Sequence, residues 1–181
     1  VSSPHRLVWW YCSDNIYPAP AVTAATFLRR FMEYDSTAET LKHIRKVQQN
    51  LGKIARSLLN RGEIHDESKL GPEEKPYFDE YTPKLSGLTY GSQEYRDTLK
   101  KIKPAIKHHQ ENNSHHPEHY KDGIDGMNLM DVIEMLCDWK AATERHNDGD
   151  IQQSFEVNRD RFKISQQLES ILKNTVLRLG W

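Results

Sequence analysis

Ser36–Asp66, STAETLKHIRKVQQNLGKIARSLLNRGEIHD, is the stretch on which the fold class turns. Ile44, Val47, Leu51, Ile54 and Leu58 alternate spacings of three and four, the apolar face of an amphipathic helix. Ser36-Thr37-Ala38-Glu39 has the pattern of a capping box at its start. Asn60-Arg61-Gly62 loosens the pattern just before His65-Asp66.

Outward from there the helical signal recurs. Leu70–Ser92 is dense in Pro, Gly and Tyr and reads as loop-rich. A helix is expected from near Ser92, with Tyr95, Leu99, Ile102, Ile106 and His109 on one stripe and a kink or break at Pro104. Pro117 should end or restart it. A third helix is expected over Leu129–Arg145, with Val132, Ile133, Leu136 and Trp139 as its apolar side. A final helical region runs from Ile151 to Leu179, with Phe155, Phe162, Leu168, Ile171, Leu172 and Val176 as core candidates. No strand pattern competes, so the class is all-α. Upstream, residues 1–35 carry Trp9-Trp10 and no sustained period; they read as an appendage to a helical domain over 36–181.

In 181 residues, 25 Lys+Arg balance 26 Asp+Glu, a net charge of -1. That argues against a protein built to coat nucleic acid or an anionic membrane, and leaves room for a small anionic substrate held by local cations. Lys100, Lys101, Lys103 and Lys107 surround most of a helix and read as solvated surface. Cys12 and Cys137 make no CxxC, which argues against a disulfide framework and a thiolate zinc site and fits a reducing compartment. No apolar run approaches the ~20 residues of a membrane helix, and no secretory signal pattern opens the chain.

The histidines stand out. Of nine, five (His108, His109, His115, His116, His119) fall within twelve residues. A carboxylate-bearing helix with Asp131, Glu134 and Asp138 follows, and His43 and His65-Asp66 precede. Imidazole suits Zn, Fe and Ni, while carboxylate admits Mn and Mg. Helices pointing such groups inward are a common way to build a metal site. Taken singly each residue has a plainer reading: His43 as helix surface, His65-Asp66 as a helix-end contact, His109 as a core histidine.

The order of these residues resembles the HD-domain superfamily of metal-dependent phosphohydrolases. That family shows an upstream His, a His-Asp pair, middle histidines and a late Asp on a helix. Here the pair reads His65-Asp66-Glu67-Ser68-Lys69 and the late motif Leu136-Cys137-Asp138-Trp139. His115-His116-Pro117-Glu118 is similar to the paired histidines of the HD-GYP branch, without its GYP loop. The runs HDESKL, YFDEYTPKL, GLTYGSQEY, HHPEHY and GMNLMDVIEMLCDWKAATERHNDGD also resemble an uncharacterised domain family of bacterial and phage genomes, over about residues 36–178.

The resemblance implies an HD-like helical bundle with a metal site between helices. It implies His43, His65, Asp66 and Asp138 as metal ligands, with His109 and His116 as candidates for a second ion. His108 or His115 could substitute for these, and Asp131 competes with Asp138. Lys69 would be the cation beside the substrate phosphate, Glu67 would help a water lose its proton, and Lys140 and Arg145 are further phosphate-binding candidates. The cofactor would be one or two divalent ions (Mn, Fe, Co, Ni or Zn, with Mg as a further candidate). The substrate would be a nucleotide or other small phosphate ester, and the setting the cytoplasm of a bacterium or infected host cell. Terminal helices are a candidate homodimer interface. Rival readings are an HD-like di-iron oxygenase, an all-α nucleotide pyrophosphohydrolase of the MazG type using Asp131, Glu134 and Asp138 with Mg²⁺, and a non-catalytic metal-binding protein.

Overall fold

The computed structural model describes residues 34–89, 92–144 and 149–181. Among them every regular element is helical and none is a strand: α1 (Thr37–Ile64), α2 (Lys75–Ser86), α3 (Gln93–Asn112), α4 (Leu129–Thr143), α5 (Ile151–Phe162) and α6 (Gln166–Leu179). Short 3-10 turns cover Glu67–Leu70, Pro117–His119 and Gly123–Gly126. No helix among the described residues is long and apolar enough to cross a membrane. The chain divides into two units, Val1–Gln48 and Gln49–Trp181, with the boundary inside α1. The expected appendage, residues 1–35, lies outside the described residues except for Tyr34 and Asp35.

The first helix starts where expected, but its first-turn cap is different: the Thr37 amide donates to Asp35 Oδ1 at 2.9 Å. It continues through Gly62, so the loosening expected there does not occur. Its apolar stripe is not a buried face, since Ile44, Val47, Leu51 and Ile54 are all exposed. The helix stops at Asp66, whose φ of 59° is left-handed. Asp tolerates that region better than most residues, yet such a backbone is held only when its surroundings demand it. The reversal sends the chain straight into Glu67–Leu70.

Within the second unit, α2 corrects the loop reading of Leu70–Ser92. Pro76 sits in the first turn, where its missing N–H costs nothing, and Lys75–Asp79 and Lys84–Glu80 pair one turn apart. Ser92 caps α3 by accepting from the Tyr95 amide, and α3 passes through Pro104 without ending. Asn128 and Asp131 form a capping box that opens α4. The expected final helical region is two helices, separated where Lys163 turns left-handed and Ser165 caps α6.

The core joins Ile124, Val132, Met135, Leu136, Ile151, Phe155, Ile164, Leu172 and Val176, with Trp139 stacked on Phe162 at 6.2 Å. Ile171, expected inside, is exposed. Burying a side chain of this size is worth ~1.5–3 kcal/mol. This core anchors one face of α4, and the other face carries Glu134 and Asp138 to the histidines.

Candidate metal centre

His65 and Asp66 enter at the end of α1 and the left-handed turn after it. His109 comes from the last turn of α3. His115 and His116 follow in the tight turn after α3, closed by the His116 amide donating to the Asn113 carbonyl at 3.1 Å, and both rings join the cluster. Asp138 comes from α4. Their ligand atoms fall into overlapping groups, each within 4.8 Å: Asp66, His109, His115 and His116; His65, Asp66 and Asp138; and His65, His115 and Glu134.

Two glutamates set the directions of the rings. Glu134 Oε1 lies 2.8 Å from His65 Nδ1 and 3.2 Å from His115 Nδ1. Glu74, fully buried, reaches His109 Nδ1 at 3.0 Å and His108 Nδ1 at 2.8 Å. A carboxylate only accepts, so the Nδ1 atoms of His65, His108 and His109 carry a hydrogen and donate it. In His65 and His109 this leaves the Nε2 lone pair as the free coordinating atom. His109 Nε2 lies 3.1 Å and His115 Nε2 3.5 Å from Asp66 Oδ1. His65 Nε2 lies 3.6 Å from Asp66 Oδ2 and 3.7 Å from Asp138 Oδ1.

Four buried atoms at this point make no hydrogen bond: Asp66 Oδ1 and the Nε2 atoms of His109, His115 and His116. Buried polar atoms are nearly always paired, and an unpaired one costs ~1–3 kcal/mol. Four lone pairs aimed at one another cannot satisfy each other. A cation satisfies all of them, so the donor set fits one. Four imidazoles and two carboxylates without thiolate match Fe, Mn, Co, Ni or Zn.

The electrostatics agree. The Asp138 carboxylate, working against burial and joined by Glu134 and Asp66, raises His65 to about 9. Burial, with His115 and His109 beside it, lowers His116 to about 3. Burial opposes ionisation of Asp66, but His109, His115 and Lys69 outweigh it and hold the carboxyl well below its usual range. The metal-free cluster thus keeps a proton on His65 where a cation would otherwise balance the carboxylates.

His65, Asp66, His109, His116 and Asp138 are therefore brought together, and His115 joins them rather than replacing one. His108 turns outward to Glu74. His43 lies exposed on α1 and belongs to none of the groups. Asp131 is fully buried elsewhere, bonded to Arg61 at 2.6 Å, Tyr120 at 2.7 Å and Ser114 at 2.9 Å. Arg61 also grips Glu134 at 2.6 Å, so Asp131 braces the cluster through two intermediates. The acidic stripe required by the pyrophosphohydrolase reading is thereby divided among separate tasks.

Lys69 Nζ lies 2.5 Å from Asp66 Oδ2, at the cluster's edge. Glu67 is exposed on the turn and makes no hydrogen bond to the cluster. Lys140 pairs with Glu144 at 2.8 Å. Arg145 lies outside the described residues. Glu74 and Arg61 had no distinguishing sequence signal: one sits in a Pro/Gly-rich stretch, the other on an otherwise regular helix.

No curated protein and no solved structure matches the chain. A family of unknown function, DUF5662, matches residues 32–178. That match carries no activity and no link to the HD superfamily. Since the match covers well over half of the sequence, the chain belongs to the DUF5662 family.

Proposed function

We propose that this protein is a metal-dependent phosphohydrolase acting on a small phosphate ester. The observation that carries the reading is the convergence of four unpaired buried lone pairs, from Asp66, His109, His115 and His116, beside His65 and Asp138. Asp66 offers Oδ1 to the buried histidines and Oδ2 toward His65, so this carboxylate would help hold a cation on either side of it. Divalent ions held here would supply Lewis acidity and lower the pKa of a water.

The protein's own groups do the rest. Glu74 and Glu134 hold the rings in the coordinating tautomer. The Lys69 ammonium sits beside Asp66, on the partly exposed side of the cluster, where it can meet phosphate charge that grows in the transition state. A small phosphate ester is favoured over a polymer because the cations are few and local.

The test is elemental analysis of untagged protein purified without added metal, with phosphate release measured on nucleotides and simple esters. One to two equivalents of a transition metal, with at least one equivalent lost in His65→Ala, together with metal-dependent phosphate release, is the expected result. Full metal content in that variant would remove the site assignment. A second reading, a di-iron oxidase, draws on the four imidazoles; two irons with oxygen consumption and no phosphate release would favour it.

A further inference from the structure

The metal cluster borders a cavity of about 220 Å³, walled by Gly62 and His65 of the α1 end and by Glu134, Cys137, Asp138 and Ala141 of α4. Two of these residues, His65 and Asp138, are members of the open group of ligands. Beside Glu134, the remaining contacts are small: a bare backbone at Gly62, a thiol side chain at Cys137 and a methyl at Ala141. A Cβ added at Gly62 would meet nothing within 4 Å, so the α1 wall stands back from its surroundings. Cys137 and Ala141 are one turn apart on α4 and share its face.

We propose that this cavity takes the organic part of the substrate, and that it selects a flat or apolar group of one ring system over a compact or strongly polar one. The proposal rests on the phosphohydrolase reading for the placement of the phosphate. With the phosphate at His65, Asp66 and Asp138 and beside Lys69, the ester substituent has the cavity adjoining two of those ligands in which to lie. Its volume equals about seven waters at ~30 Å³ each. Drug-sized ligand pockets begin near 300 Å³, so a single ring system is the scale it suits. Apart from Glu134 and Asp138 the walls offer no charged group, and Glu134 is already engaged by His65 and Arg61. Gly62, Cys137 and Ala141 are thus the specificity-determining positions.

The experiment compares two non-hydrolysable probes, phenylphosphonate and methylphosphonate, binding to the metal-loaded full chain by calorimetry. The wild type should bind phenylphosphonate at least tenfold more tightly. Ala141→Leu, at an exposed position that tolerates bulk, should remove most of that preference while leaving methylphosphonate affinity and metal content unchanged. Gly62→Leu, from the opposite wall, should do the same and guards against a folding defect in either variant. Equal affinities in the wild type, or a preference that survives both variants, would overturn the cavity assignment and leave the hydrolase reading standing. A tenfold preference in a protein that releases no phosphate from any ester would do the reverse. No binding of either probe would sink both.

Discussion

The two flanks of the histidine cluster differ in depth. On the inner flank the side chains of His109 and His115 are 5% and 3% exposed and Glu74 behind them is 0%. On the outer flank His65, Asp66 and Asp138 are 26%, 20% and 23% exposed, and Lys69 is 35%. Asp66 belongs to both. An ion on the inner flank would be shielded from water and hard to exchange. One on the outer flank could accept a substrate. The chemistry of the two flanks is similar, so burial, more than ligand type, divides a holding task from a working one.

The sharpest way to break that comparison is at the shared residue. Asp66→Ala should lose both equivalents of metal and all turnover, whereas Asp138→Ala should lose only the outer one. Metal counts on the two variants decide it. Identical losses would mean that the flanks are one site.

Lys69→Ala probes the outer flank without touching a ligand. Removing a preorganised donor to developing charge costs on the order of 10²–10³ in kcat. Metal content should stay at the wild-type level, and Lys69→Arg should restore part of the rate. A kcat unchanged in Lys69→Ala would leave the lysine as a partner of Asp66 alone.

Glu74→Gln tests the inner flank through its support. Outer-shell partners of metal-bound histidines are typically worth 10–100-fold in affinity. Glu74→Gln should weaken the tighter equivalent by that factor and leave the other within twofold, as read by competition with a chelator. Loss confined to the weaker equivalent would reverse the roles given to the flanks.

These residues were unequally legible. His65-Asp66 could be read because residue order is preserved in sequence. Both His115 and His116 enter because they lie past Asn112 in a tight turn that belongs to no helix; a helical rule, under which neighbours face apart, forced a choice between them that the chain does not make. Asp131 and Asp138 share a helix face, but seven residues span about two turns or ~10 Å, enough to place one in the Arg61 brace and the other at the ligands. Glu74 could not be found from periodicity because the turn carrying it has none. The same limit hid α2, whose prolines read as loop while one of them sits in a helix's first turn. Conversely, α1 has a strong apolar period and no buried residue, since periodicity reports which side chains share a face and not what covers it.

The smallest effect concerns protons, and it separates the flanks once more. At pH 7.5 the metal-free outer flank holds a proton on His65, raised to about 9, while His116, lowered to about 3, is neutral. Metal binding must expel the first proton and has none to expel from the second. Calorimetry in buffers of different ionisation enthalpy should therefore show about one proton released on metal binding at pH 7.5, a release that fades as pH rises above about 9. The same shifts set the stability of the metal-free chain. The His65 contribution is complete below its unfolded value of 6.5 and fades as pH rises through about 9. The neutral His116 contribution is present above 6.5 and is lost as pH falls toward about 3. Metal-free melting temperatures should thus decline on both sides of neutral pH. His65→Gln should flatten the alkaline decline and leave the acid one, and a variant that flattened neither would show that the outer flank carries no proton for a cation to replace.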